Sequence, residues 1–219
     1  MGFLFPLVSY SQLYYRIEAD FTTKEKSTSG YENLMMGKVY FDINQRQIVF
    51  DVYFPEKEVL IINDTATITV RAGKVKKHEL SGNLIDFSVL SLFLKGELDY
   101  FGLKNTPFKL EKVEKENGLV ISTWIMGDKF VNSPVSKLLL SQKNNNLHGL
   151  ITFGPGDSII SKQIFTDYIL VEGMQFPGRV LQFSPSADGS EFKKITTYKN
   201  IVVNSNKNDS FYKYIYRHN

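Results

Sequence analysis

The 219 residues contain no cysteine. Within them that excludes disulfides, thiol catalysis, cysteine-based zinc sites and thiol-anchored lipid. Histidine is nearly as scarce. His78, His148 and His218 lie far apart, and none has a metal-ligand partner at helical or strand spacing, so neither a metal centre nor a cofactor is expected. No serine stands in a Gly-x-Ser-x-Gly elbow. Gly154-Pro155-Gly156-Asp157 is glycine-rich, but no Lys-Ser/Thr pair or helix follows it, and a turn is the simpler reading. No stretch approaches the roughly 20 apolar residues that span a bilayer as a helix. An excess of one charge is lacking too: the net charge is only +3, and the lysines are scattered, as at Lys38, Lys104, Lys137 and Lys199. One short cluster stands at Lys74, Lys76 and Lys77. A nucleic-acid surface wants a concentrated basic stripe, so no nucleic-acid partner is expected.

What the sequence has is apolar alternation. Hydrophobic residues make up 42% and aromatics 14%, ample for a large core. Tyr15, Ile17, Ala19 and Phe21 alternate with Arg16, Glu18 and Asp20, which predicts a first strand. Leu34 to Asp42 predicts a second. Then comes QIVFDVYFPEKEVLIIND, from Gln47 to Asp64: Ile48, Phe50, Val52 and Phe54 alternate, Pro55 breaks the run, and Val59 to Ile62 is apolar without a break. Thr65 to Arg71 follows. Further strands are expected at 108–115, 119–126, 137–142, 147–153, 158–171, 179–184, 194–203 and 211–216, with Asn117-Gly118 and Lys143 to Asn146 as hairpin turns.

One segment breaks the period. Leu84 to Gly96 places Leu84, Phe87, Leu90 and Leu94 at helical spacing, with Val89 and Phe93 beside them and Gly96 as a C-terminal stop. Its polar positions, Asp86, Ser88 and Ser91, are few, so this helix wants burial on more than one side. A second short helix could fall near 134–140. The fold class is mainly β (α+β): a single curled antiparallel half-barrel sheet of about eleven strands, its concave face covered by helix. The long sheet must coil, and its concave face must be covered or it exposes a large apolar patch. One helix is too small to fill it, and the remaining space would be a ligand cavity.

The N-terminal GFLFPLVSYSQ reads as an apolar run ending in Ser9-Tyr10-Ser11, the small-x-small pattern that precedes a signal-peptidase cut. Residues 1–11 are therefore read as the remnant of a signal peptide and 12–219 as one domain, exported to the periplasm.

The expected site follows from the face. Ile48, Phe50, Val52 and Phe54 share one side of their strand, and Leu60 and Ile62 belong to the strand beside it. Phe87, Leu90, Phe93 and Leu94 would face them from the helix, and Trp124, the only tryptophan, joins the expected lining. Arg46 shares the parity of Ile48. Either it is held against a carbonyl or polar head group on that face, or it sits in the turn and points to water. Asp20, Asp42 and Asp51 could pair as acid and base, but nothing in the sequence sets them apart.

The order of these segments resembles the LolA-like superfamily. The residues that carry the resemblance are Ile17-Glu18-Ala19-Asp20-Phe21, Gly37-Lys38-Val39-Tyr40-Phe41, Arg46-x-Ile48-x-Phe50 through Pro55, and Val59 to Asp64. Later come Asp167-Tyr168, Gly173 to Arg179, Thr197 to Asn200 and Val203-Asn204. The resemblance implies a half-barrel of about eleven strands with helices over its open side, and a cavity that holds the acyl chains of a lipoprotein. It implies a periplasmic carrier with no enzymatic activity that meets a membrane-bound transfer partner, and a lid held shut by an arginine, for which Arg46 is the nearest candidate. A sensor or interaction domain on the same fold, recognising lipoproteins or a membrane partner, is the alternative. An enzyme on the same fold would need a polar cluster inside the cavity.

Overall fold

The protein was analysed as a computed structural model, which describes residues 14–26, 30, 32–80, 85–96, 100–130, 133–185 and 190–215. The expected signal-peptide remnant lies outside these residues. The strands are β1 (Arg16–Lys26), β2 (Glu32–Asp42), β3 (Gln47–Phe54), β4 (Glu58–Asn63), β5 (Ala66–Arg71) and β6 (Lys74–Leu80), then β7 (Phe108–Glu116), β8 (Leu119–Met126), β9 (Lys137–Lys143), β10 (Asn146–Phe153), β11 (Ile159–Val171), β12 (Met174–Pro185) and β13 (Glu191–Val203). They form one sheet in the order β6-β5-β4-β3-β2-β1-β13-β12-β11-β10-β9-β8-β7, antiparallel throughout and open at both ends. Between β6 and β7 lies helix α1 (Val89–Lys95), preceded by a single 3-10 turn, Ile85–Phe87.

The sheet curls around α1. Thirteen strands at about 4.8 Å would spread over roughly 58 Å if flat, whereas a helix with its side chains is about 10–12 Å wide. Yet one continuous buried cluster joins Leu90 to Leu94 of α1 with Phe21, Val39 and Val52 of β1–β3, Leu138 and Leu150 of β9–β10, and Phe165, Phe176 and Tyr198 of β11–β13. Only a coiled sheet brings both halves onto one short helix.

The unbroken apolar run of β4 has a direct cause: both faces of this part of the sheet are covered. Leu60 and Ile62 lie opposite Phe50 and Ile48 on the inner face. On the outer face Ile61 is buried with Ala66, Ile68 and Val70, and Tyr214 packs on them. Helix α2 (Asp209–Tyr212) supplies the neighbouring cover, with Tyr212 fully buried against Tyr40 and Val49. Phe211 stacks on Tyr40 at 4.8 Å. Burial pushes the Tyr40 hydroxyl up to about 12.

Three details differ from the sequence-based expectation. There are thirteen strands where about eleven were expected, and β6 was not among those expected because it has no apolar alternation: as an edge strand it is mostly exposed on both sides, and its Lys74, Lys76, Lys77 and Glu79 keep that edge from pairing with another chain. The other edge, β7, is defended in the same way by Lys109, Glu111, Lys112, Glu114, Lys115 and Glu116. Residues 211–216 were expected as a strand, but the helical turn of α2 takes Phe211 and Tyr212, because the segment lies across the outer face and does not extend an edge. Residues 137–140, read both as the start of a strand at 137–142 and as part of a possible short helix, belong to strand β9, where Leu138 and Leu140 face the core.

Candidate functional site

The concave face and its helix form the candidate site. A seven-residue helix is too short to persist alone in water. Two local features define it: Ser88 caps the N-terminus by accepting from the Ser91 amide at 3.2 Å, and Gly96 ends it at φ 72° while donating to Leu92 at 3.1 Å. Tertiary burial then holds it. Leu90, Ser91, Leu92, Phe93 and Leu94 are each no more than 4% exposed. Five consecutive residues cover more than a full turn, so α1 is enclosed on all sides.

Phe93 is the centre of that enclosure. Its ring meets Phe101, Phe165, Phe176 and Tyr168 at centroid distances of 5.5 to 6.0 Å. Burial pushes the Tyr168 hydroxyl well above its ordinary range, and that hydroxyl donates to the Leu147 carbonyl. A cavity of about 250 Å3 opens at the C-terminal end of the helix, between Phe93, Phe101, Tyr14 and Met174. The Ser91 hydroxyl is buried with no hydrogen-bond partner among the described residues.

The expected site residues divide into groups. Ile48, Val52, Leu90, Phe93, Leu94 and Trp124 are buried in the single inner cluster, and Phe50, Ile62 and Phe87 pack against it. Phe50 meets Phe21 edge-on at 5.1 Å, and Phe87 meets Phe108 at 5.5 Å. Leu60 lies beside Phe50 by register. Trp124 sits in the other half of the sheet, its indole N–H donating to Ser122 Oγ at 3.0 Å and its ring against Tyr100. Phe54 is apart: it lies beyond the bulge at Met36/Gly37 and is 43% exposed.

Arg46 takes the second of its two expected positions, in part. It lies in the β2–β3 turn with φ 49°, off the apolar face, but it does not simply point to water. Its guanidinium holds Asp64, at the β4–β5 turn, at 2.6 and 2.9 Å, and reaches Asp86 in the 3-10 turn at 3.0 and 3.4 Å. Lys95, in the last turn of α1, holds Asp86 from the other side at 2.6 Å. Burial pushes the Asp86 carboxyl up, but the hydrogen bonds from Arg46 and Lys95 outweigh it and keep it below the ordinary aspartate range. These four charges clasp the helical segment to the sheet rim.

Sequence reasoning missed Asp64, Asp86 and Lys95 as a unit, and it missed Phe165, Phe176 and Tyr198 opposite the helix. The signal for the aromatics was the alternation of Phe176 with Val180 along β12, which needs a strand longer than the 179–184 expected. For the pairing within the clasp no sequence signal existed, since 40 residues separate Arg46 from Asp86.

Fold and site together define a class: an open half-barrel sheet with a short helix buried on its concave face. No family model matches the sequence, and no curated protein does. Among solved structures the fold is that of LolA superfamily proteins. A LolA superfamily protein from Nitrosomonas europaea aligns with TM-score 0.59 and 11% identity over 90% of each chain. An outer membrane lipoprotein-sorting protein domain from Vibrio parahaemolyticus aligns with TM-score 0.59 and 12% identity over 91% of this chain and 90% of its own. A DUF1329 family protein from Desulfovibrio piger aligns with TM-score 0.60 and 13% identity over 92% of this chain and 90% of its own.

Proposed function

We propose that the chain is a non-enzymatic carrier of acyl chains. It takes the lipid of a lipoprotein, or a similar lipid-like ligand, onto the concave face and passes it to a membrane-bound partner. It acts in the periplasm as a monomer, with delivery toward the outer membrane. The fold likeness to a lipoprotein-sorting domain supports this, and the packing of α1 supports it further.

The magnitudes favour an apolar ligand. Burying Leu90, Leu92, Phe93 and Leu94 is worth about 1.5–3 kcal/mol each, on the order of 6–12 kcal/mol together. Partly exposed ion pairs such as those of Arg46 contribute about 0.2–1 kcal/mol each. Water cannot compensate for lifting α1, because the bared face stays apolar. An acyl chain can: at about 0.8 kcal/mol per methylene, roughly 8–15 buried methylenes offset the loss, the length of one common acyl chain. The helix and the lipid are then alternative occupants of one seat, and the clasp sets how readily they exchange.

The polar groups buried on this face suit a binder rather than an enzyme. Thr23 and Thr196 bond to each other at 3.1 Å, and Ser122 accepts from Trp124. Native mass spectrometry of the protein mixed with a synthetic triacylated lipopeptide tests the proposal. A one-to-one complex is expected with the lipopeptide and none with the same peptide lacking its acyl chains. Equal binding of both peptides, or of neither, would refute it.

A further inference from the structure

The outer face of the sheet carries a second concavity, on the opposite side from α1. It is a groove of about 570 Å3 across β2, β1, β13 and β12, within the size range of small-ligand sites. Register places its lining in three rows. Met36, Thr22, Thr197 and Arg179 form the middle row, Lys24 and Ile195 the row on one side, and Asp20 and Lys199 the row on the other.

The charges in these rows are unbalanced. Asp20 is already engaged, with Lys38 at 2.8 Å and Asn200 at 2.6 Å. Arg179, Lys24 and Lys199 form no side-chain hydrogen bond or ion pair with another described residue. Arg179 is half-buried, and its Nε is buried with no acceptor among the described residues. A buried guanidinium N–H without an acceptor is costly, and surface solvation does not account for it as it does for an exposed lysine. By strand spacing and rise, the Cα atoms of Arg179 and Lys24 stand roughly 12 Å apart, so both side chains reach a group seated over Thr22 and Thr197.

We infer that this groove binds a phosphate group, held by Arg179 with Lys24 and Lys199 on either side of it. Arginine presents a planar fork that matches phosphate oxygens, and the two lysines add point charges. Three cations that pair with no described residue suit a phosphate better than a single carboxylate. Met36 and Ile195 leave room for a short apolar part of the ligand. The same chemistry is presented by a soluble phosphomonoester and by an anionic lipid headgroup. The site does not depend on what the concave face carries.

Nitrogen-15 NMR of the whole chain reads the Arg179 Nε–H directly. Inorganic phosphate and glycerol 3-phosphate are titrated in one arm, and vesicles of phosphatidylcholine with or without phosphatidylglycerol in the other. A saturable shift of that resonance is expected in at least one arm: with the free phosphates for a soluble ligand, with the phosphatidylglycerol vesicles alone for a headgroup. Affinity should fall at least tenfold in Arg179→Met and in Lys24→Gln/Lys199→Gln, the latter at exposed positions that leave the fold alone. Arg179→Met should melt no lower than the native chain, because it removes an unpaired buried donor, and should lose the thermal shift that phosphate gives. No saturable response in either arm, or a ligand-induced thermal shift in both variants equal to the native chain's, overturns the inference.

Discussion

Arg46 and Asp86 meet at 3.0 Å across the gap between the sheet rim and the helical segment, 40 residues apart in sequence. Asp64 and Lys95 complete the group, so the helical segment is tied to the β2–β3 and β4–β5 turns by charge and to the concave face by apolar packing. The two ties differ by about an order of magnitude in strength. They therefore have separable consequences.

Releasing the weaker tie should change exchange more than stability. Arg46→Ala is expected to cost about 1 kcal/mol, or roughly 2–4 °C in melting temperature. Uptake of a fluorescent acyl ligand, followed by stopped flow, should quicken several-fold. Leu92→Ala should instead cost about 2–5 kcal/mol, because Leu92 is fully buried. An Arg46→Ala variant with unchanged uptake would show that the clasp does not gate the face.

Acid should open the clasp. The Asp86 carboxyl is held below its unfolded value of 3.8 by Arg46 and Lys95. A depressed carboxylate contributes its full stability above the unfolded value and loses it as the pH falls through the folded one. Hydrogen exchange at the amides of α1 should therefore be insensitive to opening between pH 5 and 8, after correction for intrinsic rates, and should show loss of protection below about pH 4. Asp86→Asn should remove that acid step.

The Arg16–Asp42 pair ties β1 to β2 beneath α2 and should be indispensable. Arg16 donates to Asp42 at 2.7 and 3.0 Å with both side chains buried, and also reaches Asp209 at 3.0 Å and lies over the Tyr212 ring. Arg16→Ala leaves Asp42 buried and unpaired, a loss of about 3–5 kcal/mol in chemical denaturation. Asp209→Ala, at a half-exposed partner, should cost about 1 kcal/mol.

Gly37 should tolerate no side chain. A Cβ there would run into the Asp51 carbonyl and come within 2.9 Å of the Phe21 ring and the Val52 Cα. Neither backbone can yield without breaking the β2–β3 ladder beside the bulge. Gly37→Ala is expected to destabilise by about 3 kcal/mol or more, visible as a lower denaturation midpoint. A near-native midpoint would mean that the bulge can relax.

Much of this fold was legible in the sequence, and the reasons are local. The alternation of Ile48, Phe50 and Val52 against Val49 and Asp51 set a period of two, and Pro55 ended the strand. The spacing of Leu90 and Leu94 set a helical period where α1 forms. What escaped was non-local. The edge strand β6 buries too little to show a pattern, and Tyr212 becomes core only when α2 folds over Tyr40. Arg46 leaves the apolar face because its strand parity stops mattering at φ 49°, where the turn redirects the side chain; the turn was one of its two expected places, and only its ion-pair partners escaped. The partners of a surface ion pair leave no trace in the spacing of either segment.

The most direct test of acyl carriage is the stoichiometry of lipid bound to the purified chain, compared with Phe50→Glu. Phe50 is half-buried, meets Phe21 on the inner face and packs against the margin of the buried cluster rather than within it, so a carboxylate there spoils the seat more than the fold. Equilibrium binding of a triacylated lipopeptide should give about one ligand per native chain, with affinity at least tenfold weaker in a Phe50→Glu protein that retains a cooperative melt. Absence of saturable binding to the native chain, or equal binding by the folded variant, would contradict acyl carriage on the concave face.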